Sequence, residues 1–232
     1  MQPYFFPYIG YFQLINYVDK WVVFDDVQYI YHGWINRNRI LKPIEGWQYI
    51  NIPVQKHSRD TLIKDIYIDN NQKWREKILG QLSCYKKIAP FYNEAIKIIN
   101  EAIQGDYKNI VDVNIYILEV ICRYLHITFE YVVSSKEDFD YSIVKTSGDW
   151  ALEISRQLNV KEYVNPIGGE NLFNASKFEE SGIKLKFLQP KEIRYNQRRS
   201  KFESNLSIID LIMFNSPKDI KKILNEYEVV SR

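Results

Sequence analysis

Five short segments of this 232-residue chain carry residue types that could do chemistry. The first runs Gln2-Pro-Tyr-Phe-Phe-Pro-Tyr-Ile-Gly-Tyr-Phe12. Pro3 and Pro7 each fix φ and remove a backbone donor, and Gly10 permits close backbone approach or a helix start. The expectation is a rigid, non-helical, ring-lined loop in which the polar tips of Gln2, Tyr8 and Tyr11 meet a ligand. A hydrophobic plug over a sheet edge is the competing role. The second segment is Asp25-Asp26-Val-Gln28, where adjacent carboxylates at a strand end could take a proton, a metal or a sugar hydroxyl. Only one of the pair can face a given side of an extended chain, and a turn or cap competes.

The third segment is Trp34-Ile-Asn36-Arg37-Asn38-Arg39. In an extended chain Arg37 and Arg39 share one face, where two guanidinium forks suit a phosphate or carboxylate, while Asn38 faces the other side. His32 lies in the same loop and is the acid–base candidate among the histidines. The fourth is Asn165-Pro-Ile-Gly168-Gly169, whose glycine pair frees backbone N–H groups to approach an anion, or simply makes a turn. The fifth is Arg194-Tyr-Asn-Gln197-Arg198-Arg199, a basic loop that could close over a phosphorylated donor. His57, His126, Cys84 and Cys122 read as structural.

These segments need elements to position them. Trp21–Phe24 reads as a strand, and Trp47–Val54 with Leu62–Ile68 as a hairpin or adjacent strand pair. Helical spacing marks 72–87, 90–104 and 109–125, a helical subdomain over about 70–126. Strand–helix–strand alternation follows: strands at 127–133, 161–165 and 183–188, helices at 150–158 and 175–181. Helices at 207–214 and 216–227 close the chain. This order predicts one α/β domain over 1–232, a Rossmann-like, mostly parallel sheet with an inserted β-hairpin and a helical insertion. Ligands then sit outside the carboxyl ends of the strands, which selects Asp25-Asp26, Ser134-Ser135 and Asn165–Gly169.

Composition narrows the functional classes. A net charge of +2 and a pI near 8.3 argue against nucleic acid as a partner. Two cysteines exclude a disulfide framework, and no ligand spacing suggests a metal. No run approaches a membrane span and no secretory signal opens the chain, so a cytoplasmic location is expected. The unusual count is aromatic: five Trp, 18 Tyr and 12 Phe, with twelve of these rings in the first 34 residues.

Taken in order, QPYFFPYIGYFQLI, DDVQY, WINRNRI, NPIGGENLF and LSIIDLIMFN resemble the WbqC-like protein family over nearly the whole chain. The resemblance implies a role in bacterial O-antigen or other surface-polysaccharide synthesis. The activity it suggests is a transferase, aminoacyl or glycyl, acting on a nucleotide-linked amino sugar or glycan intermediate. Family members carry a few more apolar residues before the QP motif, so an internally assigned start is expected here. Tyr8-Ile9-Gly10-Tyr11 is also similar to the His-x-Gly-His loop of a nucleotidyltransferase fold, with both histidines replaced by tyrosine.

Three readings follow. The first is a transferase whose aromatic loop, Asp25/Asp26, Arg37/Arg39 and Asn165–Gly169 converge on one pocket for a small-molecule or nucleotide-sugar substrate. There Asp25 or Asp26 acts as base, and a nucleotide-activated donor takes the place of a fixed cofactor. The others are a non-catalytic glycan-binding or assembly partner, and a nucleotidyltransferase-fold protein with a degenerate loop. Oligomeric state is not readable from the sequence.

Overall fold

The computed structural model describes residues 1–232. After an extended start, α1 (Ile9–Tyr17) leads to β1 (Trp21–Val23), β2 (Arg37–Leu41) and β3 (Trp47–Asn51). Three helices follow: α2 (Trp74–Leu82), α3 (Tyr92–Ile103) and α4 (Ile110–Leu125). Then come β4 (Tyr131–Val133), α5 (Asp149–Gln157), β5 (Glu162–Pro166), α6 (Ala175–Glu180) and β6 (Lys184–Pro190). The chain ends with α7 (Ile208–Phe214), α8 (Pro217–Ile223) and β7 (Tyr227–Ser231).

The strands do not merge into the single parallel sheet expected from their order. They form three small sheets: β1 with β4, β2 with β3, and β5-β6-β7. The β1–β4 and β5–β6 pairs are parallel, whereas β2–β3 and β6–β7 are antiparallel. The architecture is therefore mixed α/β. β1 and β4 stop after three residues because Ser134–Lys136 turns into a 3₁₀ helix immediately after β4. The closing helix, expected over 216–227, ends at Ile223, and Tyr227–Ser231 forms β7, which pairs with β6 on the side away from β5.

Two further expectations shift. The partner of β3 is Arg37–Leu41, not Leu62–Ile68, with Arg39 opposite Tyr49 and Leu41 opposite Trp47. Gly46 supplies the positive φ that this turn requires, +74°. Residues 62–68 instead hold a 3₁₀ turn, Ile63–Asp65, and isolated bridges to Gln28, Val54 and Asn109. The opening segment is non-helical only through Tyr8; α1 then starts, because a proline ahead of the first turn removes no helical hydrogen bond.

The main core runs from Phe5, Phe6 and Phe12 through Trp74, Ile99 and Ile117 to Ile208–Met213. The helices of the 70–126 region belong to this core, α3 packing on α4 and α7, and α4 on α8. A separate small core of Leu152, Phe178, Ile183, Leu185 and Phe187 binds α5 and α6 to β6. Each of these buried apolar side chains contributes roughly 2 kcal/mol. No helix is long and apolar enough to cross a membrane.

The first eight residues cannot use a regular ladder, so side chains from three elements bond their carbonyls. Asn114 of α4 donates to Pro3 O at 2.8 Å and to Ile35 O at 2.7 Å. Asn38 of β2 donates to Phe5 O and Phe6 O, both at 2.9 Å. Ser207, the N-cap of α7, donates to Phe6 O at 2.8 Å. Met1 lies beside β1 in the parallel sense: its amino group donates to Val22 O (2.7 Å), and Phe24 N donates to Met1 O (2.8 Å).

Candidate functional site

The opening segment and α1 form one wall of a cleft of about 1160 Å³. The opposite wall is the smaller lobe: α5, β5 and the 3₁₀ helix Ile167–Leu172. The cleft thus follows the seam between the main core and the satellite core. Tyr4, Tyr8, Tyr17, Trp21, Phe24, Trp150 and Phe173 give it an aromatic lining. Trp150 packs between Phe24 and Tyr141, with ring centroids 5.4 and 4.6 Å away.

Glycines shape both walls. A Cβ on Gly10 would lie 2.4 Å from Cε2 of Tyr8, so the bare glycine lets the Tyr8 ring fold onto the start of α1. A Cβ on Gly148 would lie 2.1 Å from the Leu172 carbonyl oxygen, so α5 packs directly on the 3₁₀ backbone there. Gly168 and Gly169 line the cleft, and Asn165 Oδ1 sits 2.5 Å from where a Gly169 Cβ would be. Asn165 Nδ2 donates to the Tyr163 hydroxyl at 2.6 Å.

The cleft also carries Glu162, a carboxylate outside the five segments singled out in the sequence. Its Oε2 lies 2.5 Å from Lys186 Nζ, and its Oε1 accepts from the Tyr17 hydroxyl at 3.4 Å. The bond to Glu162 raises the pKa of Lys186. Lys20 and Lys161 add positive charge to the cleft lining. Its signal was the alternation of β5, which puts Glu162 and Val164 on the side facing α1.

The remaining sequence candidates are placed differently. Asp25 is buried and accepts from Ser134 Oγ (2.9 Å), Ser135 N (3.0 Å) and Ser135 Oγ (2.7 Å), tying the end of β1 to the end of β4. Asp26 pairs with Lys64 at 2.8 Å and accepts from Tyr141 at 3.4 Å. Neither aspartate lines the cleft. His32 is exposed, stacked on Tyr31 with φ +64°, and also outside it. Gln2 and Tyr11 both border the cleft, although Tyr11 is nearly fully buried and its hydroxyl donates to Gln2 O at 2.8 Å. Burial raises the phenol pKa of Tyr4, Tyr8 and Tyr11, so each presents a neutral hydroxyl.

Arg37 and Arg39 share one face of β2 as the spacing requires, each against rings. Arg37 lies 4.2 Å from Tyr49, and Arg39 lies 5.4 and 5.1 Å from Trp34 and Trp47. Asn38 faces inward and is committed to Phe5 and Phe6. Asn36 is committed too: its amide donates to Ile52 O and its carbonyl accepts from Tyr29. Gln28 donates to Arg59 O at 2.8 Å. Arg198 is exposed on a turn with φ +51°.

Gln197 belongs to a buried cluster that the sequence did not announce. Asp210 accepts from Tyr85 (2.7 Å), Tyr195 (2.5 Å) and Gln197 (2.8 Å), and is fully buried. Burial pushes its carboxyl up to about 6, against the lowering effect of those three donors. The Tyr85 hydroxyl also accepts from Leu41 N, so the cluster joins β2 to α7.

The expected single convergence is thus divided. The aromatic segment and Asn165–Gly169 share the large cleft, while Trp34, Asn38 and Arg39 line a smaller cavity with Tyr4 and Tyr8. No group of three or more His, Cys, Asp or Glu is placed to hold a metal.

Comparison with known proteins agrees with the segment order. The uncharacterized protein Rv1507c of Mycobacterium tuberculosis (strain ATCC 25618 / H37Rv) is 29% identical over 215 residues, 91% of this chain and 90% of that protein. No solved structure matches the chain significantly. The model of the WbqC-like protein family matches residues 2–222, so the chain belongs to that family.

Proposed function

We propose that this protein is a transferase of bacterial O-antigen or other surface-polysaccharide synthesis. It moves an acyl group, aminoacyl or glycyl, onto the amino group of a nucleotide-linked sugar. Family membership supports the pathway. The observation that carries the substrate class is the aromatic cleft of about 1160 Å³ with the Asn165–Gly169 turn in its wall. That volume exceeds an ordinary small-ligand pocket and suits an elongated nucleotide sugar. Tyr8 and Trp150 offer ring faces for a sugar or base, and Lys20 and Lys161 attract the pyrophosphate.

In this reading Glu162 is the base, in preference to Asp25 or Asp26, because Glu162 lines the cleft and neither aspartate does. The sugar amine attacks the carbonyl carbon of the activated acyl donor. Its proton passes to Glu162, and the donor's leaving oxygen departs with the electron pair of the broken acyl bond. Lys186 and Tyr17 hold the carboxylate in place. Thermal-shift titration with nucleotide-linked amino sugars tests the assignment, because a ligand of the folded state raises the melting temperature. A rise that is lost in Trp150→Ala supports it; no rise with any nucleotide sugar contradicts it.

A further inference from the structure

The smaller cavity, of about 350 Å³, shares Tyr4 and Tyr8 with the cleft but is otherwise built from different residues: Pro7, Trp34, Asn38, Arg39 and Asn205. Its wall carries one cation and no acid. Arg39 takes part in none of the chain's ion pairs. One of its terminal nitrogens donates to Asn205 O at 3.0 Å, while its Nε is buried without any partner. An unmatched buried N–H is costly, so this guanidinium is not fully satisfied by the protein itself. Tyr4 and Tyr8 line the same cavity, and their hydroxyls make no hydrogen bond within the protein. Trp34 and Pro7 give the same cavity an apolar side.

We propose that this cavity is a second substrate subsite, which holds the oxyanion of a small molecule, carboxylate or phosphate, against Arg39 and its body against Trp34 and Tyr4. The guanidinium spends only one terminal nitrogen on the protein, and its other terminal N–H groups are charged donors of the kind such oxyanions take. Placed beside the cleft across Tyr8, the subsite takes the partner of the molecule in the cleft. That role rests on the transferase reading; the anion preference itself does not.

The test is equilibrium titration of the full chain with matched pairs that differ only in charge: glucose 1-phosphate against glucose, and N-acetylglycine against N-acetylglycinamide. At least one charged member is expected to bind about tenfold or more tightly than its neutral twin, the effect of one charge-assisted hydrogen bond. The pair that responds distinguishes phosphate from carboxylate. Arg39→Gln removes the preference, and Trp150→Ala, in the cleft, leaves it intact. Arg39→Lys, which keeps the charge without the fork, retains part of it and guards against a folding defect in the glutamine variant. The proposal is overturned if no pair shows a charge preference, if the preference survives Arg39→Gln in a folded protein, or if Trp150→Ala abolishes it. Nucleotide-sugar binding is read separately: its absence alongside a retained anion preference sinks the transferase reading and leaves the subsite standing.

Discussion

Asn38 donates both hydrogens of its amide to consecutive carbonyls, Phe5 O and Phe6 O, each at 2.9 Å. Its own carbonyl accepts from Arg39 N at 2.8 Å. The residue that spacing set on the face opposite Arg37 and Arg39 is thus the clamp that fixes one wall of the cleft. Phe6, held at φ +41°, sits in a backbone state that its neighbours must impose.

Removing the clamp has a defined cost. In Asn38→Ala, Phe5 O loses its side-chain donor while Phe6 O keeps Ser207, so destabilisation of about 2 kcal/mol is expected. The double variant with Ser207→Ala strips Phe6 O of both donors and should cost more than the sum of the two single changes. Urea denaturation of the four proteins measures this; strict additivity would show that the two donors act independently.

Gly10→Ala separates binding from stability. Alanine suits the first turn of α1, but its Cβ meets the Tyr8 ring and drives it into the cleft. The melting temperature should hold or rise while nucleotide-sugar affinity falls about tenfold. Unchanged affinity would mean that Tyr8 does not border the bound ligand.

Gly148→Ala should act on the fold. Here the obstacle is the Leu172 backbone, which cannot swing aside as a side chain can. Overpacking of this kind costs about 1–3 kcal/mol. Limited proteolysis should show earlier cleavage in the 140–190 lobe than in the main core, and uniform protection would argue against a separately held lobe.

Asp210 sets a pH dependence. Its carboxyl titrates near 6 when folded, against 3.8 for an ordinary aspartate. Between those values the folded state keeps a proton that the unfolded state has released. Its contribution to stability is therefore full below about 4 and is lost as pH rises through 6, a change of about 2–3 kcal/mol. Denaturation midpoints across this window should fall with rising pH in the wild type and change less in Asp210→Asn. Equal slopes in both proteins would remove Asp210 as the cause.

Much of this was legible in the sequence, and the gaps have physical causes. The two prolines and crowded rings marked the opening segment as special, and a period of two placed Arg37 and Arg39 opposite Asn38. What Asn38 faces depends on Phe5 and Phe6, more than 30 residues away, and no local pattern encodes that pairing. Helices α3, α4 and α5 lie within two residues of their periodic patterns, because each has a clear apolar face. Strand partners were the weak point. β3 chose Arg37–Leu41 across the Gly46 turn, and a rule of strand alternation cannot distinguish one parallel sheet from two short parallel pairs. Glu162 was missed because the alternation of β5 does not say which of its two faces meets α1.

The central claim is that the seam between the two cores holds the sugar substrate. The most direct measurement is a crystal structure of the protein soaked with a nucleotide-linked amino sugar. The account predicts the sugar between Tyr8 and Trp150, its amine within hydrogen-bond reach of Glu162 and its pyrophosphate beside Lys20 and Lys161. A nucleotide sugar bound elsewhere, with the cleft empty, would contradict it.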